Sequence, residues 1–298
     1  MSEFATSYEG VTDIRAREPG RVRKLLSTRR RRPFVPVDGR LMIVAADHPA
    51  RGALSARGRA DAMASRPELL DRLRTALGRP GVDGVLATAD ILEDLLLMGA
   101  LEDKVVVASM NRGGLAGARF EMDDRMTGYD VQGVVDAGFD AAKMLTRIDY
   151  DDPGTVATLQ ACADAVSGLN RAELVAMVEP FISRRVEGKV VNDLSPEAVV
   201  KSIHIAQGLG AASAYTWMKL PVVEEMERVM DATTLPTLLL GGDPAGAPDD
   251  TYASWQRALA LPSVRGLIVG RALLYPADGD VAAAVDTAVS LVRPGVAS

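Results

Sequence analysis

Along the chain, short unbroken apolar runs alternate with longer stretches of helical periodicity. The runs are LMIVAA (41–46), GVLAT (84–88), KVVVAS (104–109), DAAKMLT (140–146), ELVAMV (173–178), ASAYTWM (212–218), PTLLLG (236–241) and RGLIVG (265–270). They are continuous rather than alternating, as expected of parallel strands covered on both faces. Between them lie PELLDRLRTALG (67–78), ILEDLLLMGAL (91–101), GTVATLQACADAVSGL (154–169), SPEAVVKSIHIAQGLG (195–210), VVEEMERVMDA (222–232) and DTYASWQRALAL (250–261), where apolar positions recur at helical spacing. Ser195 and Pro196 suit the N-cap and first position of one helix, and the glycines of ALG and GLG suit helix ends.

Eight strand signals interleaved with helices over roughly 250 residues predict an α/β fold, a single-domain (β/α)8 TIM barrel. The barrel is expected over 41–298. Residues 1–40 fall outside the eightfold pattern and are expected to form an N-terminal helical extension, an arm or a helix closing the barrel bottom. The rival doubly wound sheet would carry a glycine-rich turn after its first strand, and AADHPARGAL is not one.

Composition narrows the function. The 298 residues carry a formal net charge of −6, which argues against a general nucleic-acid binder. The basic run RVRKLLSTRRRRPF (21–34) departs from that balance and reads as a solvated helix and linker, or else as an anionic contact surface or subunit interface. The lone Cys162 lies in a helical pattern and fits a core position in a reducing, cytoplasmic compartment. No apolar run approaches the roughly 18 residues that span a bilayer, so no membrane partner is expected. His48 and His204 are the only histidines, so no metal site of the histidine-rich kind is expected.

In a barrel of this class, chemistry sits at the C-terminal ends of the strands. Asp47 and His48 end the first strand, and Asn111 follows the third. Lys143 lies on the fourth, with Arg147 beyond it. Glu179 ends the fifth and Lys219 the sixth. Gly241 and Gly242 end the seventh, and Gly270 and Arg271 the eighth. Lysines are few, at positions 24, 104, 143, 189, 201 and 219, so each position carries information. Lys219 would become a nucleophile if its proton were held loosely. Burial, a second cation such as Lys143, and a helix opening at Pro221 with its positive end toward the amine would all act that way. An unprotonated lysine attacks carbonyls, and the resulting iminium is an electron sink for breaking a neighbouring C–C bond. Glu179 and Asp47 are candidates for the proton transfers. The glycine turns with Arg271 suit a phosphate. Alternatively, Lys219 snorkels to solvent and the acids are structural ion-pair partners. The stretch NRGGLAG (111–117) lacks the lysine and serine of a phosphate loop and reads as a mobile lid.

On AADHPARG, DAAKMLTRIDYDDP, MVEPFI, WMKLP, LLLGGDP and LIVGRALLYP, the chain resembles the class I (Schiff-base) aldolases of the tagatose-bisphosphate and sulfofructose-phosphate group. These are relatives of the DhnA-type fructose-bisphosphate and deoxyribose-phosphate aldolases. It also looks close to an actinobacterial barrel group associated with inositol catabolism. The likeness runs from about Leu41 to Pro276. It implies a lyase that needs no cofactor, with Lys219 as Schiff-base lysine and Glu179 as proton shuttle. It further implies that Lys143 lowers the nucleophile's proton affinity and binds substrate oxygens, and that Asp47 positions a hydroxyl. Gly241, Gly242, Gly270 and Arg271, with His48 and Arg147, would hold a phosphorylated sugar in a homo-oligomeric enzyme. His48 and Pro49 depart from the family's pattern, as does the glycine-rich, basic stretch 110–130, and both lie where substrate is chosen. Inositol catabolism suggests 2-deoxy-5-keto-gluconate 6-phosphate. The alternatives are a Schiff-base transferase, a catalytically silent sugar-phosphate-binding barrel, and a metal-dependent aldolase, which the histidine count disfavours.

Overall fold

Each apolar run becomes a strand whose alternate side chains enter two different cores. The computed structural model describes residues 4–111, 114–241 and 248–295. Its strands are β1 (Leu41–Ala45), β2 (Gly84–Ala87), β3 (Val105–Ser109), β4 (Ala141–Ile148), β5 (Val175–Val186), β6 (Lys189–Asn192), β7 (Thr216–Pro221), β8 (Thr237–Leu240) and β9 (Val264–Val269). All but β6 pair in parallel. The chain of pairings runs from β4 through β3, β2, β1, β9, β8 and β7 to β5, and the β4–β5 ladder closes it. The protein is thus a (β/α)8 barrel of one domain.

Leu41, Ile43, Leu86, Val105, Val107, Met177, Trp217, Leu238 and Ile268 fill the interior. Met42, Val44, Val85, Val106, Ala142, Val178 and Leu239 face the helices. Burial on both faces is why the runs are continuous.

The surrounding helices are α3 (Arg66–Leu77), α4 (Ala89–Leu97), α5 (Val131–Asp136), α6 (Gly154–Arg171), α7 (Pro196–Gln207), α8 (Met226–Met230), α9 (Pro248–Leu259), α10 (Arg271–Leu274) and α11 (Val281–Val292), preceded by α1 (Tyr8–Arg17) and α2 (Gly20–Thr28). α7 starts as its sequence suggests: the Ser195 side chain accepts from the Ala198 N–H, and Pro196 takes the first position. α8 does not. Pro221 is the last residue of β7, Glu225 has a left-handed backbone, and only five residues from Met226 are helical. No helix therefore opens at Pro221 to aim its dipole at Lys219.

α1 and α2 lie outside the barrel, α2 against α4. The chain then crosses the barrel bottom. There Phe34 meets Trp217 edge-on, with ring centroids 5.2 Å apart, and packs against the interior core. The first part of the basic run is helix α2, with Arg23 and Lys24 exposed as a solvated helix would have them, while the arginines at 29–32 are held by acids. Asp140 pairs with Arg29 and Arg31, Asp83 with Arg32 and Arg293, and Arg30 with Glu102 and Asp103. Asp83 and Asp140 also accept the backbone N–H groups of Met42 and Val106. The arginines thus neutralise carboxylates buried to satisfy strand starts. Replacing Phe34 with alanine is expected to lower unfolding free energy by about 2 kcal/mol in chemical denaturation, from lost burial and the aromatic contact.

Candidate active site

Strand parity places the reactive side chains. Interior positions of β1 run 41, 43, 45 and, one step past the strand, 47. On β4 they run 141, 143, 145; on β5, 175, 177, 179; on β7, 217, 219. Asp47, Lys143, Glu179 and Lys219 therefore converge on the barrel axis at the C-terminal mouth. All four are buried.

Lys219 Nζ donates to Glu179 Oε1 at 2.7 Å. Lys143 Nζ lies 2.9 Å from the other oxygen of Glu179 and 2.6 Å from Asp47 Oδ2. Ser109, at the end of β3, donates to Asp47 Oδ2 at 3.3 Å. The two lysines and two carboxylates are thus paired with one another, the condition under which such groups can be buried, and His48 Nδ1 lies 3.6 Å from the other oxygen of Asp47. Burial pushes the Glu179 carboxyl up, but Lys143 and Lys219 outweigh it and hold it well below the usual carboxylate range.

The second cation foreseen beside Lys219 is present, but neither lysine stands alone. Lys219 is ion-paired, and Lys143 is clasped between two carboxylates. The two amines share one carboxylate, so they sit inside the roughly 8–10 Å over which charges interact unscreened.

Above the quartet opens a cavity of about 560 Å³. Glu179 lines its floor. His48, Arg51 and Arg271 line one side, and Gly241 lies at the end of β8. Gly270, at the end of β9, sits where a Cβ would come 2.4 Å from the Ala45 carbonyl oxygen, so only glycine lets the two strand ends meet there. Gly242 lies outside the described residues, as does Arg112.

Arg147 is not part of this wall. It is buried behind it, bidentate to Asp124 (2.6 and 2.7 Å) and 3.2 Å from Glu121. Its charge is paired there, and it is not among the residues lining the cavity where it was expected to meet a phosphate. Asn111, expected at the rim, is also buried. It bonds the backbone of Leu145 on both sides of its amide and the carbonyl of Asp124. Asn111 and Arg147 tie the backbone at either end of the segment after β3, at Leu145 and at Asp124; residues 112 and 113, within the stretch read as a lid, lie outside the described residues.

Arg51 takes the place foreseen for Arg147. It comes from the short 3₁₀ turn His48–Arg51 and contacts Glu121 at 3.3 Å. Its sequence signal was the arginine in HPARG just past the first strand. Among the described residues, no group of three or more histidine, cysteine or acidic side chains could hold a metal. No helix among them is long and apolar enough to cross a membrane.

A family model described as Cgl0159-like matches residues 39–289. The chain belongs to the Cgl0159-like family. Cgl0159 from Corynebacterium glutamicum (Brevibacterium flavum) has a crystal structure 61% identical to it, covering 97% of this chain and 98% of that one, with a TM-score of 0.94. A Schiff-base-forming fructose-1,6-bisphosphate aldolase superposes with a TM-score of 0.66 at 21% identity, covering 91% of this chain and 99% of the other. An archaeal fructose-1,6-bisphosphate aldolase, with its catalytic Lys covalently bound to the carbinolamine intermediate, does so at 0.65 and 20%, with the same coverage. At these identities the likeness shows the fold alone: this Cgl0159-like chain shares its (β/α)8 barrel with those enzymes. Comparison with curated proteins gives no match.

Proposed function

We propose that the protein is a class I aldolase, a carbon–carbon lyase that cleaves a phosphorylated keto sugar or keto-sugar acid reversibly through an imine on Lys219. The observation that carries this reading is the buried quartet: one lysine is hydrogen-bonded to a carboxylate that a second lysine holds ionised, on the floor of an open cavity. The DhnA-type resemblance and the barrel shared with Schiff-base aldolases support it.

In the proposed cycle, the Lys219 ammonium passes a proton to Glu179, and the amine attacks the substrate ketone. The carbonyl oxygen leaves as water, and the protonated imine remains. Glu179, again a carboxylate, takes the proton of the hydroxyl on the carbon beta to the imine carbon. The bond between the alpha and beta carbons breaks, its electron pair moves toward the iminium nitrogen, an aldehyde departs and an enamine remains. Glu179 returns the proton to the alpha carbon, and water hydrolyses the imine. Lys143 keeps Glu179 anionic between transfers, and Asp47 fixes Lys143. Gly241 and Gly270, with Arg271, His48 and Arg51, offer backbone N–H groups and cations to a phosphate on the β1, β8 and β9 side.

The enzyme is read as cytoplasmic and homo-oligomeric, needing no cofactor, metal, nucleic acid or membrane. The inositol-catabolism resemblance makes 2-deoxy-5-keto-gluconate 6-phosphate the first substrate to try. Borohydride reduction with a panel of keto-phosphates tests the reading. A mass increase located on the peptide carrying Lys219 is expected. Reduction without any adduct favours a silent sugar-phosphate-binding barrel. An adduct without cleavage until an acceptor aldehyde is added favours a transferase.

A further inference from the structure

β5 outruns the barrel. Its ladder with β4 extends from Val175 to Ile182, whereas its ladder with β7 stops at Val178. Beyond that, Ser183–Val186 pairs antiparallel with β6. Glu187 and Gly188 both have positive φ, as a two-residue type I′ turn requires. The result is a hairpin standing over the mouth of the cavity.

Alternate residues of a strand share a face. The face of β5 that carries Glu179 therefore carries Phe181 and then Ser183. Asn192 lies directly across from Ser183 and shares that face. Glu179, Phe181, Asn192 and Leu194 all line the cavity. Ser183 is buried, and its hydroxyl donates to Asn192 Oδ1 at 2.9 Å. That bond engages the amide's oxygen, and the opposite end of the same amide, Nδ2, carries two donor hydrogens on a side chain that lines the cavity. Four residues of strand carry this position about 13 Å from Glu179 along the hairpin. The cations of the cavity, Arg51 and Arg271, follow β1 and β9, on the far side of the barrel. A phosphate held there leaves the other end of the substrate under the hairpin.

We infer that Asn192 is a specificity-determining residue: its amide donates to an acceptor oxygen on the substrate fragment that leaves as the aldehyde, and Ser183 is its positioning residue. This rests on the Schiff-base reading above. On the hairpin side of the cavity, Phe181 and Leu194 are the apolar lining residues that accompany the amide. The substrate class that fits is a keto-phosphate whose released fragment ends in a hydroxyl or a carboxylate.

The test is borohydride trapping on the full chain with three probes. Dihydroxyacetone phosphate is too short to reach the hairpin. Fructose 1-phosphate ends in a hydroxyl, and 2-deoxy-5-keto-gluconate 6-phosphate in a carboxylate. The readout is the ratio of long-probe to short-probe adduct on Lys219. Asn192→Ala is expected to lower it roughly tenfold, the size of one lost hydrogen bond. Ser183→Ala lowers it less, and Ser183→Thr, which keeps the hydroxyl, restores it. Asn192→Asp is expected to lower the ratio more steeply for the carboxylate probe, which the new carboxylate repels, than for the hydroxyl probe, which can donate to it; equal falls would overturn direct contact at this position. A ratio unchanged by Asn192→Ala overturns the inference. Short-probe trapping without any long-probe adduct in the wild-type protein overturns it too. A wild-type protein that traps no probe overturns the Schiff-base reading instead, and this inference falls with it.

Discussion

Replacing Lys219 with arginine is expected to lower aldol cleavage by at least about 10⁴-fold and to remove the borohydride adduct, while the protein remains folded. Arginine keeps a cation beside Glu179, so the buried charges stay balanced. Its guanidinium does not give up a proton in a protein and cannot form the imine. Lys219→Ala should lose as much activity and also some stability, because Glu179 then faces Lys143 alone. Product assays and thermal melts on both variants separate the two effects. On the proposed Schiff-base reading, the geometry favours Lys219 over Lys143 as the nucleophile. Lys143 is enclosed between Asp47 and Glu179, whereas Lys219 has one carboxylate partner and lies beside the cavity floor. An adduct that persists in Lys219→Arg would move the nucleophile to Lys143.

The barrel was legible because a parallel strand buried on both faces leaves an unbroken apolar run, and eight such runs stood between helical periods. The four residues of the quartet were legible for a related reason: each is a charge at the C-terminal part of such a run, the end that faces the mouth, whereas charges at the opposite end, such as Asp140, meet the N-terminal arm. Their pairing was not legible. Whether Lys143 faces Lys219 or a carboxylate depends on which interior positions share a layer across β1, β4, β5 and β7, and that is a property of the closed barrel.

The hairpin was missed because ISRRVEGKVVN is polar and short-ranged, and its Glu-Gly turn is a weak signal away from a recognised strand pair. Pro221 misled because proline opens helices as readily as it ends strands. The arginine run at 29–32 could not be assigned since its partners, Asp83 and Asp140, lie far along the chain. Arg147 and Arg51 exchanged expected places for the same cause. Both follow apolar runs, and only the fold reveals that Glu121 and Asp124 fold back over β4.

That exchange leads to the largest expected stability effect. Arg147→Met should destabilise the protein by about 3–5 kcal/mol, the cost of stranding buried carboxylates. Asp124 is fully buried and loses its bidentate partner, and among the described residues Glu121 keeps Arg51 and the Gly117 N–H. Lysine is a poor substitute, since one ammonium cannot reproduce the fork that spans both acids. The segment after β3 would loosen with it, because a Cβ on Gly114 would lie 2.4 Å from Arg147 Nη2, so tightly does this backbone pack on the guanidinium. Arg51 shares Glu121 with Arg147, so its seat at the cavity shifts as well, and KM for a phosphorylated substrate should rise along with the loss of stability. Combining Arg147→Met with Asp124→Leu removes both charges and is expected to recover part of the stability but not the position of Arg51. Denaturation of the single and double variants, set beside KM, tells a structural anchor from a phosphate ligand: an Arg147→Met protein of wild-type stability with raised KM would return Arg147 to the substrate.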